Sequence, residues 1–160
     1  MLLMSPLLAR ITVPLILPFA CSWAKWQERR IRRDGVPLPY DLLADARRLG
    51  VRRPERVRLL AVKLVPGGMP SWLRAIGRPL GLGSPLTSGM SLRYGIFIRS
   101  ECWGDRRLVC HELVHTAQYE RLGGFWPFLK SYLFECLAEP GYPFGPLEQE
   151  AQERGQTGGG

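Results

Sequence analysis

The chain has 160 residues, enough for one domain with a modest core. With 46% apolar and 22% charged residues, it has the composition of a globular fold and not of a disordered chain. Its net charge of +8 admits nucleic acid or an anionic membrane as a partner. The cations are mostly arginines spread over several segments, with no recognisable nucleic-acid module, which speaks against nucleic acid.

Residues 2–24 are strongly apolar, interrupted by Arg10 and by Pro6, Pro14 and Pro18. The uncharged run 11–24 is short for a bilayer. Counting from Leu2 gives enough length, at a cost of about 2.5–3.5 kcal/mol were Arg10 at the centre. Lys25, Arg29, Arg30, Arg32 and Arg33 follow at once, and for a membrane segment they would hold the rest of the chain in the cytoplasm, on the inner face of the membrane. A cleaved export signal carries its positive charge ahead of the apolar core, whereas here most of it lies behind. Three readings of residues 2–24 stand: an anchor or interfacial helix with membrane contact, a helix packed on the domain, and an export signal. The organisation is then an apolar segment over 1–24, a domain over 25–154 and a disordered tail over 155–160.

Residues 23–33 read as a helix stopped near Asp34 and Gly35. Pro37 and Pro39 make a loop, and 40–49 form a second helix closed by Gly50. Residues 56–65 begin with polar–apolar alternation and read as a strand, broken by the Pro and Gly residues of 66–70. A helical turn is expected at 72–76, a Gly/Pro/Ser-rich loop at 77–88 and a second strand at 92–99. Asp105 is a suitable N-cap for the next helix, which ends at Gly123 and Gly124. Residues 125–139 make a largely apolar helix, expected to back the preceding one.

The helix begun at Asp105 carries His111-Glu112-Leu113-Val114-His115, which holds the only two histidines of the chain. On a helix, positions i and i+4 share a face one turn apart. Two imidazoles so placed can grip one Zn²⁺, with Glu112 as general base beside them. The flanking Val109, Cys110, Thr116 and Ala117 are uncharged, as a buried metal-bearing helix requires. The competing reading is a helix with two unliganded histidines and a solvated glutamate. Catalytic zinc usually takes three protein ligands, and with no third histidine the third must be Asp, Glu or Cys. The best candidate is Glu148, in the first turn of a helix opened by Pro146. Glu150 is the alternative, and Glu139, next to Pro140, comes after it. Gln118, seven residues beyond His111, returns to the metal face to orient a ligand or substrate, or simply to pack. The four cysteines form no C-x-x-C pair and read as reduced, buried thiols; Cys110 points about 100° away from His111 around the helix.

These residues resemble a small gluzincin-type metallopeptidase, in which H-E-x-x-H is completed by a glutamate on a later helix, often as E-x-x-A-D. Glu148 and Ala151 match that pattern, and Gln152 stands where the family often has Asp. The run from His111 to Gln118 and Tyr119 is similar to the H-E-L-x-H-x-x-Q segment of small, largely uncharacterised bacterial zincin-like proteins. Their upstream strand looks like the segment here that contains Gly89, Gly95 and Arg99. The resemblance implies an α+β, zincin-like fold with a small antiparallel sheet and an H-E-x-x-H helix followed by a glutamate helix. It also implies that the strand before the metal helix is the edge that receives an extended peptide. The expected activity is hydrolysis of a peptide or protein substrate, with Zn²⁺ on His111, His115 and Glu148 and with Glu112 as base. The group that stabilises the oxyanion stays open among Tyr94, Tyr119, Tyr132 and Tyr142. A zinc-binding domain that cuts nothing, with a structural or accessory role, is the alternative. A small membrane protein with a fortuitous motif is the third reading.

Overall fold

A computed structural model describes residues 5–66 and 87–158. The turn expected at 72–76 and most of the loop at 77–88 lie outside the described residues. Those residues form an α+β fold of five helices around one four-stranded sheet.

Helix α1 (Pro6–Asp34) is continuous and crosses residue 24 without a break. Pro6 sits in its first turn, where a missing N–H costs nothing, and the Ser5 hydroxyl caps the Leu8 N–H. Ala9, Val13, Leu17, Cys21, Ala24, Glu28 and Ile31 recur every three or four residues and are buried as one stripe. That stripe lies on a later helix, α4 (Phe125–Leu137), and crosses one face of the sheet. Helix α4 therefore packs chiefly on α1, and only secondarily on the helix it was expected to back.

The strands are β1 (Val36–Pro37), β2 (Arg58–Val62), β3 (Gly89–Leu92) and β4 (Gly95–Arg99), in the order β1-β2-β4-β3. The outer pairs are antiparallel, but β2 and β4 run parallel, from Arg58 opposite Gly95 to Val62 opposite Arg99. The sheet is mixed, which corrects the expected antiparallel sheet. The reason is a reversal inside the expected second strand. The chain turns at Arg93 and Tyr94, with Arg93 at φ 64°, and the Thr116 hydroxyl donates to the Arg93 carbonyl at 2.7 Å. The two central residues of this turn are not the Gly, Asn or Asp that would mark it, and the glycine falls only at its last position, Gly95. The reversal puts β3 on the edge and β4 in the interior, where Ile96, Phe97 and Ile98 are fully buried. Phe97 faces α1 and α4, while Ile96 and Ile98 face helices α2 (Tyr40–Arg48) and α3 (Arg106–Leu122).

Helix α3 starts where the sequence indicates. The Asp105 carboxylate accepts from the N–H groups of Arg107 and Leu108, and Gly123 closes the helix in the left-handed conformation. Helix α5 (Pro146–Gly158) packs on α3 over the most extensive interface in the described fold. It continues through Gly158, where a disordered tail was expected from residue 155. Helix α2 is tied to α3 by the buried Asp45, which receives both nitrogens of a bidentate Arg106 at 2.7 and 3.0 Å and a third bond from Arg48 at 2.6 Å. The Cys110 thiol contacts the same carboxylate at 3.8 Å, and burial together with the Asp45 charge pushes that thiol up to about 11.

Hydrogen bonding to Arg106, against the opposing effect of burial, holds Asp45 below the ordinary Asp range. Its stabilising contribution is therefore complete above that range and lost as pH falls through the depressed value. Asp45→Asn should lower the unfolding free energy by about 1–3 kcal/mol at neutral pH. In denaturant titrations the gap from wild type should close as the solution is acidified.

Candidate metal centre

The face of α3 turned toward α5 carries His111, His115 and Gln118, spaced by four and three residues. The answering face of α5 carries Glu148, Ala151 and Gly155. The helices meet closely because Gly155 has no side chain: a Cβ there would lie 2.9 Å from the His111 Cα and 3.0 Å from its backbone nitrogen. The start of α5 is fixed from α4. Pro146 has no N–H, and the next donor, the Leu147 N–H, is accepted by the Glu135 carboxylate at 2.9 Å.

This crossing brings Glu148 onto both imidazoles. His111 Nε2 lies 3.2 Å from Glu148 Oε1, and His115 Nε2 lies 3.3 Å from Glu148 Oε2. One ligand atom from each of the three residues falls within 4.8 Å of the others, the only such cluster of His, Cys, Asp and Glu among the described residues. Two atoms bound to one tetrahedral zinc at about 2.0–2.1 Å stand about 3.3 Å apart, close to each His–Glu separation, so these residues could hold a metal ion. Glu148 is buried, which alone would raise its carboxyl. Hydrogen bonds and charge from His111 and His115 overcome that and hold it well below the usual carboxylate range. Burial likewise depresses the His111 imidazole, but Glu148 and Glu112 outweigh it and the net shift is upward.

The surrounding groups fix these ligands. Gln118 Oε1 lies 2.8 Å from His115 Nδ1, and its amide nitrogen donates to the Leu147 carbonyl at 2.8 Å and to Glu150 Oε2 at 3.0 Å. With the amide so oriented, His115 Nδ1 donates to Gln118 Oε1, which leaves Nε2 as the nitrogen that could take a metal. His111 hydrogen-bonds the backbone of Ala151. That contact does for His111 what an acidic residue at position 152 would do, so Gln152 does not leave the imidazole unsupported. On the far side, the Tyr132 hydroxyl donates to Glu148 Oε2 at 3.1 Å, and its ring meets the His115 ring edge-on at 5.7 Å.

Glu112 is 4% exposed and lies against β3. A Cβ at Gly89 would fall 2.6 Å from Glu112 Oε1, so only glycine lets the edge strand pass this close. The carboxylate accepts from the Ser91 backbone. Burial raises its pKa against the lowering effect of His111, His115 and that bond.

Other expected residues lie elsewhere. Glu150, the alternative ligand, is held by Arg121, Arg154 and Gln118, which lower it to about 2 against the effect of burial, and it stands behind Gln118, outside the cluster. Glu139 is exposed and outside the cluster. The Tyr94 hydroxyl donates to Glu120 at 2.8 Å and its ring lies under Arg56 and Arg93, so it does not reach the site. Tyr119 is core, stacked on Phe128 at 3.7 Å. Tyr142 is 43% exposed, and burial followed by the Glu148 and Glu112 charges pushes it up to about 12. Sequence reasoning did not reach Gly89, Ser91, Glu135 or Gly155 as parts of the site. Of these only the glycines carry a local signal, and a glycine near a chain end reads first as a loose tail. Searches against protein-family models, curated proteins and solved structures find no match to this chain.

Two substitutions test the geometry. Gln118→Leu removes the bonds to His115, Leu147 and Glu150, and should weaken the affinity of the His111–His115–Glu148 cluster for an added divalent metal by about 10–100-fold in competition with a chelator. Gly155→Val forces α5 off the His111 backbone and should cost about 1–3 kcal/mol of stability, read by denaturant titration.

Proposed function

We propose that the protein is a zinc-dependent metallopeptidase of gluzincin type. The observation that carries this reading is the convergence of His111, His115 and Glu148, with Glu112 buried beside them under an edge strand. Zinc there would supply Lewis acidity to a water molecule and to the scissile carbonyl. The protein's own groups supply the rest. His111 and His115 present Nε2, and Glu148 stays ionised to complete the donor set. Glu112 takes the proton of the attacking water and delivers it to the leaving amine. Its buried setting favours the protonated form midway through that transfer. Strand β3, at the sheet edge, offers the backbone to which an extended peptide adds, and Tyr132, whose hydroxyl already donates to Glu148, is the tyrosine in direct contact with the site.

The second reading, a zinc site that cuts nothing, draws support from the same burial. Glu112 is already bonded to the Ser91 backbone and is almost closed to solvent.

Bound zinc should be about one per chain after purification without chelators, and Glu148→Ala should lose most of it. Glu112→Gln should retain zinc while hydrolysis of a peptide library falls by about 10²–10⁴-fold. Zinc in the wild type with no hydrolysis of any peptide would favour the second reading. Folded wild type without zinc would overturn both.

A further inference from the structure

Opposite its buried stripe, α1 presents a second stripe to the outside: Leu8, Ile11, Leu15, Phe19, Ser22, Trp26, Arg29 and Arg33, again at spacings of three and four. Leu15, Phe19 and Trp26 are 69%, 78% and 54% exposed. The stripe is graded along the helix axis and not across it. Large apolar side chains come first, then a tryptophan, then arginines. A helix lying flat on a surface carries its cations along its length. A helix entering a bilayer has the order seen here, with hydrocarbon-soluble residues, an aromatic at the interface and cations at the headgroups. From Leu8 to Trp26 is about 27 Å of helix, close to the thickness of a hydrocarbon core. The helix is long and apolar enough to cross a membrane, and only 28% of its most apolar window is buried inside the protein. Arg10 sits near the far end, where a long side chain can reach the opposite headgroups.

Charge at the near end selects the occupant. Trp26, Arg29, Arg30 and Arg33 line one shallow cleft, with the exposed Lys25 and Arg32 beside it. Arg33 also pairs with Asp34. A second copy of this chain packed parallel would bring the same cations against one another, and one packed antiparallel would set them against Leu8 and Ile11, whereas anionic headgroups neutralise them. The buried stripe bears on the export reading. Ala9, Val13, Leu17, Cys21 and Ala24 belong to the same core as Phe97, Phe128 and Leu133, so cleaving α1 away would strip that core.

We propose that the outer stripe of α1 is a lipid-facing surface, with Leu8 to Phe19 in the hydrocarbon of a bilayer, Trp26 at its interface and the Lys25–Arg33 cations on anionic headgroups. The full chain should float with phosphatidylcholine vesicles containing phosphatidylglycerol. Leu15→Glu with Phe19→Glu should reduce that binding by about a hundredfold, given the cost of a charge at membrane depth. Lys25→Glu with Arg29→Glu should reduce it about tenfold on the anionic vesicles and leave binding to pure phosphatidylcholine unchanged. Far-UV circular dichroism and thermal unfolding of each variant distinguish lost binding from lost folding. A wild-type chain that stays behind as a monomer, or as a dimer broken by the Leu15/Phe19 pair, would overturn the proposal. So would equal loss on both vesicle types for the cation variant.

Discussion

The candidate site depends on the close crossing of α3 and α5. Neither helix holds a complete donor set. His111 and His115 belong to one and Glu148 to the other, and the three meet only because Gly155 lets the helix backbones approach to the distance at which a Cβ would touch the His111 Cα. The other features of the site maintain that crossing. Glu135 holds the first free N–H of α5, Gln118 joins its amide to the Leu147 carbonyl, and Ala151 meets His111 through its backbone. A shift of α5 along α3 would break all three together, which restricts the pair to one register.

Buried charge is balanced locally around this crossing. Glu148 is opposed by two imidazoles, Glu150 by two arginines and an amide, and Asp45 by Arg106 and Arg48. Glu112 differs, because it accepts from the neutral Ser91 backbone and burial, with the nearby Glu148 charge, raises its carboxyl against the two imidazoles. A carboxyl driven toward its protonated form beside others held ionised is how neighbouring acids acquire different roles. Helix α1 is two-sided in the same economical way: its buried stripe closes the core through α4, and its outer stripe is left apolar, then aromatic, then cationic.

Much of this was legible in the chain. The spacing of His111 and His115 places them on one helical face whatever surrounds them, because helical periodicity is local. The Asp105 cap and the stop at Gly123 are likewise set by side-chain chemistry within a few residues, and Pro146 marks a helix start that Glu135 on α4 then holds in place. Glu148 was identifiable by its place in the first turn of the following helix, and Gln118 by its return to the metal face. The two-sided character of α1 was half legible, since its apolar composition shows that it is sequestered from water and not which side meets protein.

Tertiary structure decided the rest. The reversal at Arg93 is held by Thr116, 23 residues away, and neither central residue of the turn announces it; it converts the expected antiparallel sheet into a mixed one. The same contact distance explains Gly155, which local chemistry marks as a loose end and packing against His111 makes part of a buried helix. Glu150 and Glu148 are two residues apart and chemically alike. One faces the imidazoles and the other Arg121 and Arg154, because the rotation of α5 about its own axis is fixed by α3 and α4 and by nothing within α5 itself. The sequence by itself determined which helix faces carry the two histidines and the glutamate; only packing between elements distant in the chain decided which of those faces meet.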